Sequence, residues 1–380
     1  MNKKILLSLT IGVLVSAVAL YLVFRNIPLR ELVSYLGTVN YWWVLPAVVV
    51  NIIGFWLRVV RWQLLLSPFK KAGYWSAHHP LMIGFMANCV LPGRVGELAR
   101  PAIFYKREGV AFSKVLATVG AERLFDVVVL LLCFVMVLST ANISPSLNMT
   151  FGDYQLNKAT LETIGMRTLQ LCILLIAGIV LVSVRQTQAI IRKIILRLPQ
   201  LFFFAPTGFR EKIREKLCIK LIHIFDNVVA GLDLLKSPKK VTLCFVLSII
   251  VWAVSGLSYY VMTFGCPGID LSFLEVFAMM VILCFFISLP SAPGFWGLWE
   301  AGGVFGLLIF GVSATEARGY TLVNHVFQML PIIVIGLISA VITGISITHV
   351  AYEAPTKGKL EEGESQAETS QITHSIASRE

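Results

Sequence analysis

The sequence predicts an all-α polytopic membrane protein: about six transmembrane helices plus two re-entrant helical hairpins, arranged as an inverted repeat. Three observations predict it. Hydrophobic residues make up 57% of the 380 positions and charged residues only 14%, with a mean hydropathy of +0.80. Several apolar runs reach the roughly 20 residues that a helix needs to cross hydrocarbon. Two apolar segments are broken by proline and glycine and carry a carboxylate at the break. The first reads Leu91-Pro92-Gly93-Arg94-Val95-Gly96-Glu97-Leu98-Ala99-Arg100, and the second Leu289-Pro290-Ser291-Ala292-Pro293-Gly294-Phe295-Trp296-Gly297-Leu298-Trp299-Glu300. Proline removes a donor and glycine loosens the helix, so the backbone opens there. A bilayer tolerates open backbone only where protein or a water-filled cavity receives its polar groups. The two breaks therefore read as the walls of one intramembrane site.

Taken in order, Lys3-Lys4 precede an apolar run over residues 5–24. Ala17-Val18-Ala19 imitates a signal-peptide cleavage site, but the run continues past it and exceeds a signal h-region, so a retained helix is expected. Residues 41–66 form a second span, opened by Tyr41, Trp42 and Trp43 and closed by Arg58, Arg61 and Trp62. Two short pieces, 80–90 and 98–106, flank the first break and suit a re-entrant hairpin. Residues 115–138 span again, with Glu122, Arg123 and Asp126 in the first half. A polar loop over 139–166 and a span over 168–184 follow. Residues 185–240 carry twelve Lys/Arg against four Asp/Glu, with Ile213, Leu217, Leu221, Ile224, Val228 and Leu235 forming one apolar stripe. Such a helix suits the membrane surface. Residues 241–264 span, 273–289 and 298–310 flank the second break, and 321–347 span last. The Glu/Ser/Gln-rich tail from Glu353 is expected to be disordered. This gives five regions: 1–40, a helix and loop; 41–138, the first repeat; 139–240, the loop, one span and the basic segment; 241–348, the second repeat; and 349–380, the tail.

The net charge of +11 and pI near 9.4 raise nucleic acid as a partner. The basic residues instead bunch between apolar runs, as the positive-inside bias predicts, so nucleic acid is set aside. Placing both termini in the cytoplasm keeps Lys70-Lys71, Lys106-Arg107 and the basic block inside and the polar loop outside. The first hairpin then enters from the cytoplasm and the second from the opposite face. The halves also align: Gly93 and Gly96 match Gly294 and Gly297 at an offset of 201, and Gly109-Val110 match Gly311-Val312 at 202. Continuing, Glu122-Arg123 meets Asn324-His325, Phe125 meets Phe327, and Asp126 meets Gln328. Three crossings separate equivalent points, so the copies are inverted, as in many transporters.

An ionisable side chain in hydrocarbon costs roughly 2.5–3.5 kcal/mol on insertion scales, so each must find a partner or water. Glu122 and Asp126 share a helix face and Arg123 can pair with Asp126. A purely structural network is one reading. The functional reading is that Arg94, Arg100 and Arg123 present guanidinium forks to an anionic lipid headgroup, assisted by free amides after Gly93 and Gly294. Glu97, Glu122, Asp126, Glu300 and His325 would then balance charge or couple movement to an ion. No cofactor is expected, since there is no Walker loop, nucleophile elbow or soluble catalytic domain. No metal site is expected either, as His78-His79 lack a third ligand. The seven scattered cysteines read as small buried hydrophobes.

With these two breaks, Gly109-Val110 and Ala121-Glu122-Arg123-Leu124-Phe125-Asp126, the chain resembles the transmembrane region of lysylphosphatidylglycerol synthases, a flippase-like family. Arg61-Trp62 fits it too, and the resemblance runs over residues 41–348. In the fused synthases the membrane part is associated with moving aminoacylated phosphatidylglycerol between leaflets, and a soluble domain makes that lipid. A stand-alone member without that domain is expected here. The resemblance supports Arg94, Glu97, Arg100, Glu122, Arg123, Asp126 and Glu300 as site residues, while His325 stands where the family pattern suggests arginine.

The expected function is therefore binding and movement of an anionic phospholipid or a polyprenyl phosphate in a bacterial inner membrane. Two alternatives stay open. One is an integral-membrane transferase using a lipid-phosphate donor, with Glu97, Glu122 or Asp126 as base. The other is a non-catalytic partner of a separate lipid- or glycan-modifying enzyme.

Overall fold

The computed structural model describes residues 3–25, 29–91, 94–140, 185–202, 237–289 and 292–345, with short pieces between 149 and 178 and between 217 and 225. Eleven α-helices stand out among the described residues: α1 (Lys3–Phe24), α2 (Leu29–Thr38), α3 (Val44–Leu66), α4 (Tyr74–Val90), α5 (Gly96–Glu108), α6 (Phe112–Thr140), α7 (Arg185–Arg197), α8 (Pro238–Thr263), α9 (Phe273–Ser288), α10 (Leu298–Ile309) and α11 (Ala314–Thr343). A small antiparallel hairpin, Met149–Phe151 with Tyr154–Leu156, lies within the expected polar loop. Pro92, Gly93, Pro290, Ser291, most of the 168–184 span, most of the apolar stripe from Ile213 to Leu235 and the tail from Glu353 lie outside the described residues.

Local chemistry sets the helix ends. Ser272 and Ser313 cap α9 and α11, and in each case the Glu three residues on, Glu275 or Glu316, reaches back to the cap's amide. These reciprocal boxes satisfy two otherwise orphaned amides, and they start α11 seven residues before the expected 321. α4 likewise starts at Tyr74 rather than 80, because Pro80 sits inside the helix with only the Ser76 carbonyl forgoing its partner. The region expected to be loop before residue 41 contains α2, whose Leu32 and Tyr35 are buried; α2 packs on α11.

Three stretches, Tyr41–Leu66, Pro238–Thr263 and Ala314–Thr343, are long and apolar enough to cross a membrane. α6 is 29 residues long but carries Lys114, Glu122, Arg123 and Asp126. On α3, Val49, Ile53, Trp56 and Val60 face outward, and on α11, Leu330, Val334, Leu337, Ile338 and Val341 do the same. Apolar stripes at helical spacing on the outer surface are stable only against lipid.

Helices α3 and α8 pack side by side at the centre, and α4 lies along α11. α4 and α5 fold into one helical hairpin, α9 and α10 into another. Each half has its own apolar core. Val59, Trp62, Leu81, Met82 and Phe104 fill the first; Met262, Met279, Leu283, Leu307 and Tyr320 fill the second. At the end of the first hairpin Lys70 Nζ lies 2.7 Å from Glu108 Oε2. Burial alone would raise the Glu108 carboxyl, but hydrogen bonds from Lys70 and Ser76 hold it below its usual value.

The first hairpin closes glycine against glycine. A Cβ on Gly96 would fall 1.8 Å from the Gly84 carbonyl oxygen, a contact between two backbones that cannot rotate away. Gly96→Ala should therefore destabilise the protein by about 1–3 kcal/mol, read as a lower thermal midpoint in detergent. An unchanged midpoint would mean that α4 and α5 are not packed this closely.

Candidate functional site

In the first half, α3, α5 and α6 bring their charged side chains to one point. Arg61 of α3 is fully buried. Its Nη1 donates to Asp126 Oδ1 at 2.5 Å and to Ser248 Oγ at 2.7 Å, and its Nη2 donates to Asp126 Oδ2 at 3.2 Å. Nη2 also lies 3.2 Å from Glu122 Oε1. Because Glu122 and Asp126 stand one turn apart on α6, a single planar guanidinium from α3 can bridge both. Arg100 of α5 donates to the other Glu122 oxygen at 2.6 Å, and its guanidinium lies 3.7 Å from the Trp62 ring centroid. Trp252 of α8 donates to Asp126 Oδ1 at 3.2 Å.

Arg123 is the outward member. Its side chain is 38% exposed, and its nitrogens approach Glu97, Glu122 and Asp126 at 3.7, 3.5 and 3.6 Å. The Nε groups of Arg61, Arg100 and Arg123 are buried and have no hydrogen-bond partner; the 3.7 Å from Arg123 Nε to Glu97 is too long for one. Arg58 sits beside the network. Its Nη2 donates to Ser255 Oγ at 3.1 Å and its guanidinium is 5.8 Å from the Trp252 ring. Four guanidiniums (Arg58, Arg61, Arg100, Arg123) thus gather around three carboxylates (Glu97, Glu122, Asp126). A narrow crevice with room for about one water opens onto this group, lined by Gly84, Asn88, Gly96, Glu97, Arg100 and Arg123 together with Leu81, Phe85 and Val119.

The second half is built differently. Glu300 and His325 are fully buried, and His325 Nδ1 lies 2.5 Å from Glu300 Oε1. His325 Nε2 lies 2.9 Å from the Gly294 carbonyl oxygen, and Gly297 N donates to Glu300 Oε2 at 2.7 Å. The imidazole is held between Trp296 and Trp299, with centroids 4.3 and 4.5 Å away. Asn324 and Gln328 on the same helix join by a 3.3 Å bond, and Gln328 reaches Ser258 of α8 at 2.8 Å.

The two breaks touch. Arg94, itself at a φ of 53°, donates from Nη2 to the Ile287 carbonyl at the end of α9 at 2.8 Å. A Cβ on Gly294 would sit 3.3 Å from the Cys89 carbonyl at the end of α4. Each break thus lies against the end of the first helix of the other hairpin.

Sequence reasoning brought Glu122, Arg123 and Asp126 together correctly, while several amides at the breaks are already bonded. Gly96 N donates to Asn88 Oδ1, Glu97 N to Arg94 O and Leu98 N to Val95 O. Ala292 N donates to Ser16 Oγ, and Gly297 N is taken by Glu300. Short polar side chains and the first turns themselves satisfy these groups, as helix starts generally require. Gly93 lies outside the described residues. Arg61 was missing from the expected site; its signal was an arginine three positions after Arg58 inside an apolar run. Ser16 and Ser248, remote in sequence, carried none.

An all-helical scaffold with apolar outer stripes and a charged interior defines an integral membrane protein. The chain belongs to the lysylphosphatidylglycerol synthase transmembrane-region family, whose model matches residues 9–336. It is also similar to glycosyltransferase AglD of Haloferax volcanii, 28% identical over 118 residues. That segment covers 30% of this chain and 19% of AglD.

Removing one partner of a buried ion pair strands the other charge, at a cost of about 3–5 kcal/mol. Arg61→Ala should lose stability on that scale in a detergent melt. Arg61→Lys should not restore it, because an ammonium cannot bridge two carboxylates in one plane. Equal stability of Arg61→Ala and the native chain would show that Arg61 is not the tie between α3 and α6.

Proposed function

We propose that the chain binds the anionic headgroup of a membrane lipid at the first-half cleft and carries it between leaflets. The observation that carries this reading is the pair Arg100 and Arg123. Both line the cleft, both keep a buried Nε–H without an acceptor, and both belong to a cluster with one cation more than it has anions. A phosphate oxygen supplies the missing acceptor and charge, and guanidinium binds phosphate in bidentate fashion. Arg94, at the first break against the second hairpin, is a further cation for the headgroup. Glu97 balances Arg123 when the cleft is empty. An anionic phospholipid and a polyprenyl phosphate share this chemistry.

The architecture that supports movement is an inverted repeat. The hairpin arms α4, α5, α9 and α10 have 17, 13, 16 and 12 residues, or about 18–26 Å, less than the ~30 Å of hydrocarbon. Each packing in the first half also has a counterpart in the second: α3 with α4 and α8 with α9, α5 with α6 and α10 with α11, α3 with α11 and α8 with α6. In this reading α1, α3, α6, residues 168–184, α8 and α11 cross the membrane. Both termini are cytoplasmic, the membrane is a bacterial inner membrane, and rocking of one repeat on the other exposes the cleft to each leaflet in turn.

The test is lipid transfer by the purified chain in phosphatidylethanolamine/phosphatidylglycerol vesicles, followed with a fluorescent phosphatidylglycerol. Arg123 is 38% exposed, so Arg123→Ala should leave the thermal midpoint nearly unchanged while reducing transfer to background. Native transfer rates in a folded Arg123→Ala protein would remove the headgroup site.

A second reading, a transferase acting on a lipid-phosphate donor, is favoured by the partial similarity to a glycosyltransferase. Glu97, 32% exposed at the cleft, is its best-placed base. A covalently altered lipid after incubation, with no relocated one, decides for it.

A further inference from the structure

We propose that Glu300 and His325 form a proton-binding site, and that the proton they share latches the second break closed. This rests on the reading above that the breaks open in turn, and it names the ion that drives the opening.

The argument is a hydrogen count. Nε2 of His325 faces the Gly294 carbonyl oxygen at 2.9 Å. A carbonyl only accepts, so Nε2 carries a hydrogen. Nδ1 faces Glu300 Oε1 at 2.5 Å, and one hydrogen must lie between those atoms whichever of them holds it. The second carboxylate oxygen is already an acceptor for Gly297 N–H at 2.7 Å. The pair therefore holds two hydrogens, one more than a neutral imidazole beside a carboxylate, and its net charge is zero.

Loss of that proton has two consequences. The ring keeps one hydrogen, so one of its nitrogens turns a lone pair toward an oxygen lone pair. A net charge of −1 is also left where both side chains are 0% exposed, which is costly without a partner. The flanking Trp296 and Trp299 rings favour the loaded form, since aromatic faces attract a cation.

The same pair holds both sides of the break. His325 takes the Gly294 carbonyl and Glu300 takes the Gly297 amide, across a turn with φ values of 73° at Gly294, 58° at Phe295 and 88° at Gly297. A left-handed φ at a residue with a side chain persists only where the surroundings impose it. Release of the proton loosens both anchors together and frees the turn to move from its contact with the Cys89 carbonyl.

The elements packed around the pair bring other titratable groups: Tyr21 on α1, Arg30, Glu31 and Tyr35 on α2, Arg58 and Arg61 on α3, Cys89 near the break and His78 and His79 in the first turns of α4, Tyr259 on α8, Cys284 on α9 and Tyr320 on α11, with Arg94 from the first break. Glu316 and Arg318, at the start of α11, lie about two turns or more from His325, and Glu275 is committed to the Ser272 cap.

Nitrogen-15 NMR of the full chain in nanodiscs, with labelled histidine, tests this directly; loss of a signal in His325→Gln identifies the residue. At neutral pH both His325 ring nitrogens should bear or share a hydrogen, and one should become bare as the pH is raised. Alkylation of Ala292→Cys reads the break in the same samples. Glu300→Gln presents an amide N–H to Nδ1 and its oxygen to Gly297, which imitates the loaded state with no exchangeable proton. At high pH it should label about tenfold more slowly than the native Glu300 chain, which also corrects for ionisation of the thiol. A bare ring nitrogen at pH 7, or equal labelling of the two chains across the range, would overturn the proposal. Neither readout needs lipid movement. Failure of transfer with both results as expected would refute the transport reading alone, and transfer with a bare nitrogen would refute the proton site alone.

Discussion

The molecule depends on one guanidinium. Arg61, buried in the middle of α3, ties α6 through Glu122 and Asp126 and α8 through Ser248. Removing Arg61 would strand Asp126 and half of Glu122, and Arg61 without them would be an uncompensated buried charge. Its position also orders the rest of the group. Once Glu122 is claimed on one oxygen by Arg61, the other is free for Arg100, which fixes α5 against α6. Arg123 is left with its neighbours at 3.5–3.7 Å, the loosest contacts of the set and the ones nearest the cleft. The network is thus tightest at its buried end and loosest at its outer end.

The two halves are furnished differently. A plan of long helix, hairpin and long helix recurs, yet the first half concentrates cations and the second a buried His–Glu pair framed by tryptophan. At the matching positions Glu122 faces Asn324, Arg123 faces His325 and Asp126 faces Gln328. The substitutions exchange fixed charges for neutral or titratable groups. The proposed anion site and the proposed proton site belong to opposite halves, whose breaks touch through Arg94, Ile287, Gly294 and Cys89. That contact is the physical route by which one could influence the other.

Much of this was legible in the sequence because membranes punish exceptions. A carboxylate or a Pro/Gly pair inside an apolar run stands out, so the breaks, the α6 charges, Glu300 and His325 could be found without coordinates. Helix ends were less legible where a strong signal pointed elsewhere. Pro80 reads as a start although α4 begins at Tyr74, and the Ser313–Glu316 box was hidden by the apolar run that begins later. α2 was missed because ten residues with only two well-buried apolar side chains resemble a loop. Arg61 was read as a membrane-edge cation, since a charge near the end of a run ordinarily reaches for the interface. Only the three-dimensional meeting of α3 with α6 and α8 reveals that it points inward. The free amides were overestimated for a related reason: the side chains that satisfy them, Asn88, Ser16 and Glu300, come from other turns or other helices.

The account stands on two hairpins that enter from opposite faces and meet at their breaks. Membrane-impermeant thiol labelling of Arg107→Cys, at the outer end of the first hairpin, and Ala314→Cys, just beyond the second, tests this in oriented vesicles. The account predicts that Arg107→Cys reacts only from the cytoplasmic face and Ala314→Cys only from the opposite one. Reaction of both positions from the same face would contradict it.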